Sequence, residues 1–251
     1  MIASLPMYDR RETAAANDAL WALARDGLAR AGVAAPEALT RDGDLWGQWT
    51  APDLVLSQTC GLPLATKLRD KVRYVGSPEY DIDCPPGHYF SKVVARKGAQ
   101  TDFNGACLAF NDPFSQSGWG AAQTFAAAHE VTFGRLLETG AHRLSAQAVA
   151  DGRADLAVID ALTWKMIQRW DPCADVLQVI GQTPPTPATP YITGPNGDAE
   201  AIHAAMADAI AQLSGSDRET LGLKGIVHVP IDAYLAVTRP EPPALDITNP
   251  V

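Results

Sequence analysis

Apolar residues recur along the chain with two different spacings, which together predict strands that alternate with helices. A short apolar run at residues 2–7 predicts a buried strand. Leucines and alanines then recur at helical spacing over residues 12–31, which predicts a helix that ends at Gly32. The next apolar run, residues 53–59, is continuous enough for a parallel strand that is covered on both faces.

The same alternation continues through most of the chain and predicts an α/β protein with two small sheets. Further strands are predicted at residues 72–76, 88–95, 107–111, 155–160 and from 176 into a proline-rich segment that ends near 190. Further helices are predicted at residues 61–70, 117–128, 142–150, 200–213 and 217–221. The proline-rich tail from Arg239 is predicted to form no regular element.

The composition provides a substantial core and argues against two classes of partner. With 251 residues, 47% of them apolar, the chain is long enough for one large domain or two modest ones. A formal net charge of −9 would on average repel nucleic acid and anionic membranes. No window holds the roughly 18 apolar residues of a membrane span, so no membrane insertion is predicted.

The cysteines and histidines do not have the spacing of a metal site. Cys60, Cys84, Cys107 and Cys173 lie far apart, and no histidine has ligand spacing with another histidine or with a cysteine. Glycine-rich nucleotide motifs are also absent, so neither a metal nor a cofactor is predicted. The thiols are expected to be free and buried, with a disulfide between Cys60 and Cys84 as the alternative.

The segment that best indicates a function joins a predicted strand to a predicted helix. Residues 110–119 contain the hydroxyls of Ser115 and Ser117 and the small residue Gly118. At such a junction the amides of the first helical turn favour an anion without any excess of Lys or Arg. In an α/β sheet the junction lies at the carboxyl ends of the strands, where ligands usually bind. The alternative is that one serine only caps the helix.

A family resemblance begins at this segment. Residues 112–118 have the sequence DPFSQSG, which resembles the D-P-x-S-T-S-G loop of periplasmic phosphonate-binding proteins, the solute receptors of phosphate, phosphite and phosphonate ABC transporters. Residues 87–91 (GHYFS) resemble the aromatic stretch that opens the family's crossover strand, and residues 140–143 (GAHR) resemble its Gly-His step. Residues 151–157 (DGRADLA) are similar to its G-x-A-D run, and the resemblance extends over residues 2–193.

The resemblance implies a two-lobed type II periplasmic-binding fold, in which each lobe is a small, mostly parallel sheet flanked by helices. One lobe would contain residues 1–92 and 190–251 and the other residues 93–189, with a ligand cleft and a hinge between them. The implied function is that of a monomeric receptor that captures a small anionic solute and delivers it to the membrane subunits of an ABC transporter. Closure of such lobes is a rigid-body motion that a transporter can detect.

The resemblance also implies which residues bind the anion. Ser115 and Ser117 match hydroxyls that hold the phosphonate oxygens, and Gln116 replaces a threonine. Tyr89 and His142 match side chains that donate to the anion. Most of the anion site is therefore expected to be retained in this chain.

The residues that would contact the rest of the solute depart from the family. Leu162 and Thr189 stand where relatives that recognise an amino-alkyl group have acidic residues, and Asp160 is the nearest carboxylate. This departure argues against an amine-bearing phosphonate. Gln58 and Thr59 end a strand at the same rim. Tyr8 ends the first strand there and is a candidate by topology, with an ordinary loop aromatic as the alternative.

Two other functions stay open at this stage. Ser115, His142 and Asp160 can be drawn as a hydrolase triad, but the loop lacks the G-x-S-x-G turn that exposes the nucleophile, so an enzyme is not expected. A sensor of solutes inside the cell would use the same fold in another compartment. Residues 1–9 lack the features of a secretory signal, whereas the resemblance implies the periplasm, so the sequence leaves periplasm and cytoplasm open.

Overall fold

A computed structural model describes residues 1–99, 102–237 and 240–241 of the chain. These residues divide into two structural units. The first unit contains Met1–His88 and Thr186–Ala236, and the second contains Tyr89–Pro185 with the described part of the segment that begins at Val237. The predicted irregular tail lies outside the described residues, except for Pro240 and Glu241.

Strands and helices alternate in both units, as the apolar spacing predicts. The strands are β1 (Ile2–Ala3), β2 (Leu54–Gln58), β3 (Arg73–Tyr80), β4 (His88–Tyr89), β5 (Ser91–Arg96), β6 (Cys107–Phe110), β7 (Arg135–Glu138), β8 (Leu156–Asp160), β9 (Leu177–Gln182), β10 (Thr186–Pro187), β11 (Tyr191–Thr193) and β12 (Leu223–Val227). The α-helices are α1 (Ala14–Arg30), α2 (Leu45–Trp49), α3 (Gly61–Ala65), α4 (Ala121–Ala128), α5 (His142–Ala150), α6 (Ala161–Trp170), α7 (Ala199–Gln212), α8 (Gly215–Leu221) and α9 (Ile231–Leu235). A π-helical turn, Gln116–Gly120, leads into α4, and a 3₁₀ turn, Pro172–Val176, follows α6.

The first unit is built on a five-stranded sheet with the order β1-β2-β11-β3-β12. β1 and β2 are parallel, and β11 is antiparallel to both β2 and β3, so β1, β2 and β3 run in one direction. β12 is antiparallel to β3. The carboxyl ends of β1, β2 and β3 therefore meet at one edge of the sheet, where Gln58 and Tyr80 are the last residues of their strands.

Helix α1 confirms the helix predicted at residues 12–31. Its buried face includes Leu20, Ala24 and Leu28, which are four residues apart and so lie on one side of a helix. Backbone contact with α7 is close, since a Cβ atom on Gly27 would lie 3.1 Å from the Cβ of Ala205. The helix packs against α7, and α7 in turn packs against β3 and β12 of the first sheet.

The second unit has a five-stranded sheet with the order β7-β6-β8-β5-β9. β6 is parallel to β7 and β8, whereas β5 is antiparallel to β8 and β9. Every strand of this sheet except β5 therefore points the same way. The carboxyl ends of β6 and β8 bring the residues that follow Phe110 and Asp160 to the same edge.

Strand β8 shows why the second sheet needs continuously apolar strands. Ala157 and Ile159 belong to one buried cluster with residues of α5 and α6, and Leu156 and Val158 belong to another that includes residues of α4. Because side chains alternate between the faces of a strand, both faces must be apolar when both are covered. The predicted α/β architecture with two small sheets is thus confirmed.

Several helices and strands have boundaries that differ from the predicted ones. The strand predicted at residues 88–95 is divided at Phe90 into β4 and β5. The helix predicted at residues 61–70 ends already at Ala65, and turns follow it. Several elements are not predicted, among them the short strands β7, β11 and β12 and the helix α6. The four cysteines form no disulfide, so the Cys60–Cys84 alternative is wrong.

Candidate functional site

The loop after β6 turns its polar groups inward at the start of a helix. Ser115 precedes the π-helical turn, and its Oγ accepts a hydrogen bond from the amide of Gly118 at 3.0 Å. Ser115, Gln116 and Ser117 are at most 6% exposed. Ser115 therefore caps the helix, as the alternative interpretation of this loop predicts. A hydroxyl that accepts one hydrogen bond still has its own proton to donate, so capping and ligand binding are compatible.

Gly118 cannot be replaced without rearranging this loop. A Cβ atom at this position would overlap the side-chain Oδ1 of Asn111, the residue directly after β6. Asn111 is itself held by the next segment, because its backbone carbonyl accepts a hydrogen bond from Gly140 at 3.0 Å. The missing side chain of Gly118 thus lets the turn approach the end of β6.

Ser117, His142 and Asp160 meet at the carboxyl edge of the second sheet. The Oγ of Ser117 lies 2.9 Å from the Nε2 of His142, the first residue of α5. The same Nε2 lies 3.5 Å from the Oδ2 of Asp160, the last residue of β8. The other carboxylate oxygen of Asp160 accepts a hydrogen bond from the amide of Thr163 at 2.8 Å and caps α6. Three separate elements thus present polar side chains at one point.

Burial decides the charge of His142. Its side chain is 12% exposed, and burial lowers the pKa of the imidazole below its usual value. The carboxylate of Asp160 and the backbone of Val158 raise the pKa, but these effects are smaller. The imidazole is therefore neutral at neutral pH and can hydrogen-bond an anion without first breaking a strong ion pair.

The arrangement differs from that of a hydrolase triad. In a Ser-His-Asp triad the carboxylate bonds the imidazole nitrogen opposite the one that faces the serine. Here Ser117 and Asp160 both face Nε2 of His142. The hydroxyl of Ser115, the nucleophile of the triad drawn from the sequence, is bonded instead to the helix amide of Gly118.

Strand β5 is hydrogen-bonded to the loop that follows β6. The hydroxyl of Ser91 donates to the backbone carbonyl of Ser117 at 2.8 Å, and the amide of Ser91 donates to the hydroxyl of Thr183 at 3.0 Å. Ser91 is also directly opposite Asp160 in the β5–β8 pairing. Tyr89, two residues earlier, is 1% exposed. The sequence places Ser91 in the GHYFS stretch and near the predicted hinge, but it indicates no role for Thr183.

The first unit places a separate, uncharged polar cluster at the carboxyl edge of its own sheet. The amide nitrogen of Gln58 lies 2.9 Å from the hydroxyl of Tyr80 and 3.1 Å from the hydroxyl of Thr189, and these two hydroxyls are 2.6 Å apart. Tyr8 contacts Tyr80 edge to face, with ring centroids 5.2 Å apart. The structure thus brings Gln58, Thr189 and Tyr8 together around Tyr80, which the sequence did not single out.

A small cavity of about 20 Å³ lies next to this cluster. Its walls are mostly aromatic and aliphatic; they comprise Leu5, Tyr8, Asn17, Leu20, Gln58, Tyr80, Tyr191, Leu221 and Leu223. A space of this size holds about one water molecule or a group of similar size. Thr59, the residue after Gln58, is fully buried, and its amide donates to the carbonyl of Pro190.

The described ranges contain neither a metal-binding cluster nor a membrane-spanning helix. No group of three or more His, Cys, Asp or Glu side chains in this part of the chain is placed to hold a metal ion. No helix there has both the length and the apolar character needed to span a bilayer. Leu162, in the position where some relatives have an acidic residue, is 1% exposed in α6.

Comparison with protein families gives one match over most of the chain. A family model described as "ABC transporter, phosphonate, periplasmic substrate-binding protein" matches residues 52–236. A search of curated protein sequences gave no significant match.

Solved structures share the fold at low sequence identity. A Xanthomonas citri protein bound to ATP has a TM-score of 0.70 at 11% identity, with 94% of this chain and 95% of that chain covered. PhnD1 from Prochlorococcus marinus in complex with methylphosphonate has a TM-score of 0.68 at 14% identity, with 93% and 94% covered. A binding protein component of an ABC phosphonate transporter from Pseudomonas aeruginosa has a TM-score of 0.67 at 15% identity, with 93% and 82% covered. A periplasmic binding protein, BugD, is also similar, so the predicted type II periplasmic-binding fold is confirmed.

Proposed function

Because the chain belongs to the family of periplasmic substrate-binding proteins of phosphonate ABC transporters, we propose that it captures a small phosphonate- or phosphate-like oxyanion as the receptor of such a transporter. The observation that carries this proposal is the contact between Ser117 and His142 beside the start of the π-helical turn. Hydroxyl, imidazole and helix-start amides are donors suited to the oxygens of one tetrahedral anion. No covalent step is part of the proposed function.

In the proposed site, Ser115, Gln116 and Ser117 bind the anion through hydroxyls and backbone amides, and Tyr89 and His142 supply further donors. Asp160 borders the same place through its contact with His142. Gln58, Thr59 and Tyr8 of the first unit would act on the rest of the solute. The boundaries of the two lobes after residues 92 and 189, and a hinge near residues 90–92 and 186–188, stay predictions.

The remainder of the solute is proposed to be short and uncharged. Gln58, Tyr80 and Thr189 hydrogen-bond one another and carry no charge. A buried ammonium group needs a carboxylate or several acceptors to replace its water. The hydroxyls of Tyr80 and Thr189 already hydrogen-bond each other and the amide nitrogen of Gln58, and none of the three side chains is negatively charged, so an amino-alkyl group would lose hydration without adequate compensation.

Calorimetric titration tests the anion site directly. Purified protein would be titrated with phosphate, phosphite, methylphosphonate and 2-aminoethylphosphonate, and one of the first three should bind best. Ser117→Ala should lower the affinity for that ligand by about tenfold or more, since a hydrogen bond to a charged group contributes about 1.5–3 kcal/mol. Ser216→Ala, at an exposed position on α8, is the matched control. Unchanged affinity in Ser117→Ala would overturn the proposed anion site, and no heat with any of the ligands would overturn the proposed function.

The transport role requires a different experiment. Deletion of the protein from its native cell should abolish uptake of the bound solute, and fractionation should recover the protein from the periplasm. Recovery from the cytoplasm with unchanged uptake would favour an intracellular sensor instead. Ligand-induced compaction, measured by small-angle X-ray scattering, tests the proposed closure of the two lobes.

A further inference from the structure

The polar side chains around His142 do not carry a net positive charge that would attract an anion. His142 itself is neutral at neutral pH because burial lowers its pKa. Asp160 is 2% exposed, and one of its carboxylate oxygens is 3.5 Å from the imidazole Nε2. Since Ser117 contacts the same nitrogen at 2.9 Å, an oxyanion bound there lies beside a carboxylate.

The cations on the surrounding elements are paired or exposed. Arg143 on α5 bonds Asp171, with 2.6 Å between Nε and Oδ1. The ammonium group of Lys92 on β5 bonds the side chain of Gln182. Lys165 and Arg169 on α6 both occupy exposed positions. Arg143 and Lys92 are thus bonded to Asp171 and Gln182 rather than to Asp160.

Two further carboxylates belong to the same edge of the sheet. Glu138 ends β7, and Asp112 follows β6. Burial and the nearby charge of Asp112 raise the pKa of Glu138 above its usual value. The electrostatic surroundings of the anion loop are therefore negative, and the attraction for an anion must come from hydrogen-bond dipoles.

We infer that Asp160 makes this site selective for singly charged oxyanions over doubly charged ones. The inference rests on the proposed function and specifies the charge of its ligand. A doubly charged anion is repelled by Asp160 about twice as strongly as a singly charged one. An ionised carboxylate can only accept hydrogen bonds, so it can bond an oxyanion that has kept a proton but not one that has lost it.

Phosphite and hypophosphite are both small phosphorus oxyanions, but they differ in charge at pH 8, so they can be used to compare singly and doubly charged ligands. Hypophosphite keeps one negative charge across the neutral range, whereas phosphite loses its second proton there, as phosphate groups do near pH 6. Calorimetry would compare both ligands at about pH 5 and about pH 8, on either side of that step. Any titration of His142 acts on both ligands, so the ratio of their affinities reports the second deprotonation of phosphite, which adds a negative charge and removes the hydroxyl that could donate to Asp160.

The wild-type ratio of hypophosphite to phosphite affinity should rise about tenfold between the two pH values. Asp160→Asn removes the charge and keeps a residue that caps helices well, so the rise should largely disappear. Asp175→Asn, an exposed charge change in the same unit, should leave the rise intact. Thermal unfolding of each variant would show whether it folds. If Asp160→Asn does not fold, the pH dependence of the wild-type affinity ratio still tests the inference.

A wild-type ratio that is flat or falls with pH would overturn the inference, and so would an unchanged rise in folded Asp160→Asn. In either case the proposed function stands, because the anions still bind. Absence of binding by phosphite, hypophosphite, phosphate and methylphosphonate at both pH values would instead overturn the proposed function, and the inference with it.

Discussion

Ser117 and His142 are 25 residues apart in the chain, yet the Oγ of one lies 2.9 Å from the Nε2 of the other. The parallel pairing of β6 with β7 and β8 brings the loop after β6 and the start of α5 to one edge of the sheet. Each side chain alone is compatible with a capping or packing role. Their contact is what points to a binding site for a shared ligand.

Gly118→Ala should disrupt this loop, because the added methyl group would overlap the side chain of Asn111. Overpacking of this kind costs about 1–3 kcal/mol, measurable by urea unfolding. Asn111→Ala in the same protein removes the obstructing Oδ1 and should restore part of that loss. A double mutant whose loss equals the sum of the two single losses would contradict the proposed overlap.

Protonation of His142 should destabilise the protein in mild acid. Its pKa is lowered in the folded state, so the unfolded chain binds more protons between the two pKa values. The stabilisation is fully present above the unfolded value of about 6.5 and is lost as the pH falls below it. His142→Gln should therefore show a smaller drop in Tm than the wild type between neutral pH and about pH 5. Equal drops in both proteins would show that other groups dominate.

Tyr80→Phe should weaken the uncharged cluster of the first unit. The substitution keeps the ring contact with Tyr8 but removes the hydroxyl that lies 2.9 Å from Gln58 and 2.6 Å from Thr189. Loss of one partner from a buried network costs about 1–3 kcal/mol in the free energy of unfolding. Chemical denaturation would measure it, and a loss well below 0.5 kcal/mol would mean that the network rearranges around the missing group.

Leu20→Ala should be among the most destabilising single changes in the first unit. Leu20 is 1% exposed on the buried face of α1, where removal of a leucine side chain costs about 2–5 kcal/mol. Leu144→Ala is the matched control, since Leu144 is also on a helix but is 47% exposed. The control should change stability by about 0.5 kcal/mol or less in the same unfolding experiment. Similar losses at both positions would argue against the assigned burial of α1.

Much of the fold could be predicted because it rests on local patterns. Helix α5 begins and ends where predicted, at His142 and Ala150, and α1 lies within its predicted range. Helix α6 is not predicted although Asp160 caps it, because the sequence places this residue at the end of a strand and among the candidate ligand contacts. Strand β11 has three residues after a proline-rich segment, which is too short for a recognisable period.

Residues of the proposed anion site can be chosen from the sequence, and the structure shows which of them are in contact. Ser115, Gln116, Ser117 and His142 were chosen from motifs, and the structure places Ser117, rather than Ser115, against His142. Asp160 was chosen as the nearest carboxylate in the sequence, and only the structure places it beside the imidazole.

Apolar period and caps are properties of neighbouring positions, so the sequence alone determines the α/β class and the starts of α3 and α5. The anion loop that its motif residues indicate stays a prediction. Contacts between distant positions depend on how strands are ordered and paired. Thus the bond between Ser91 and the carbonyl of Ser117, the cluster of Gln58 with Tyr80 and Thr189, and the neutral state of His142 follow only from the folded structure. Burial and hydrogen-bond partners, which set charge and donor direction, do not exist until the sheets have assembled.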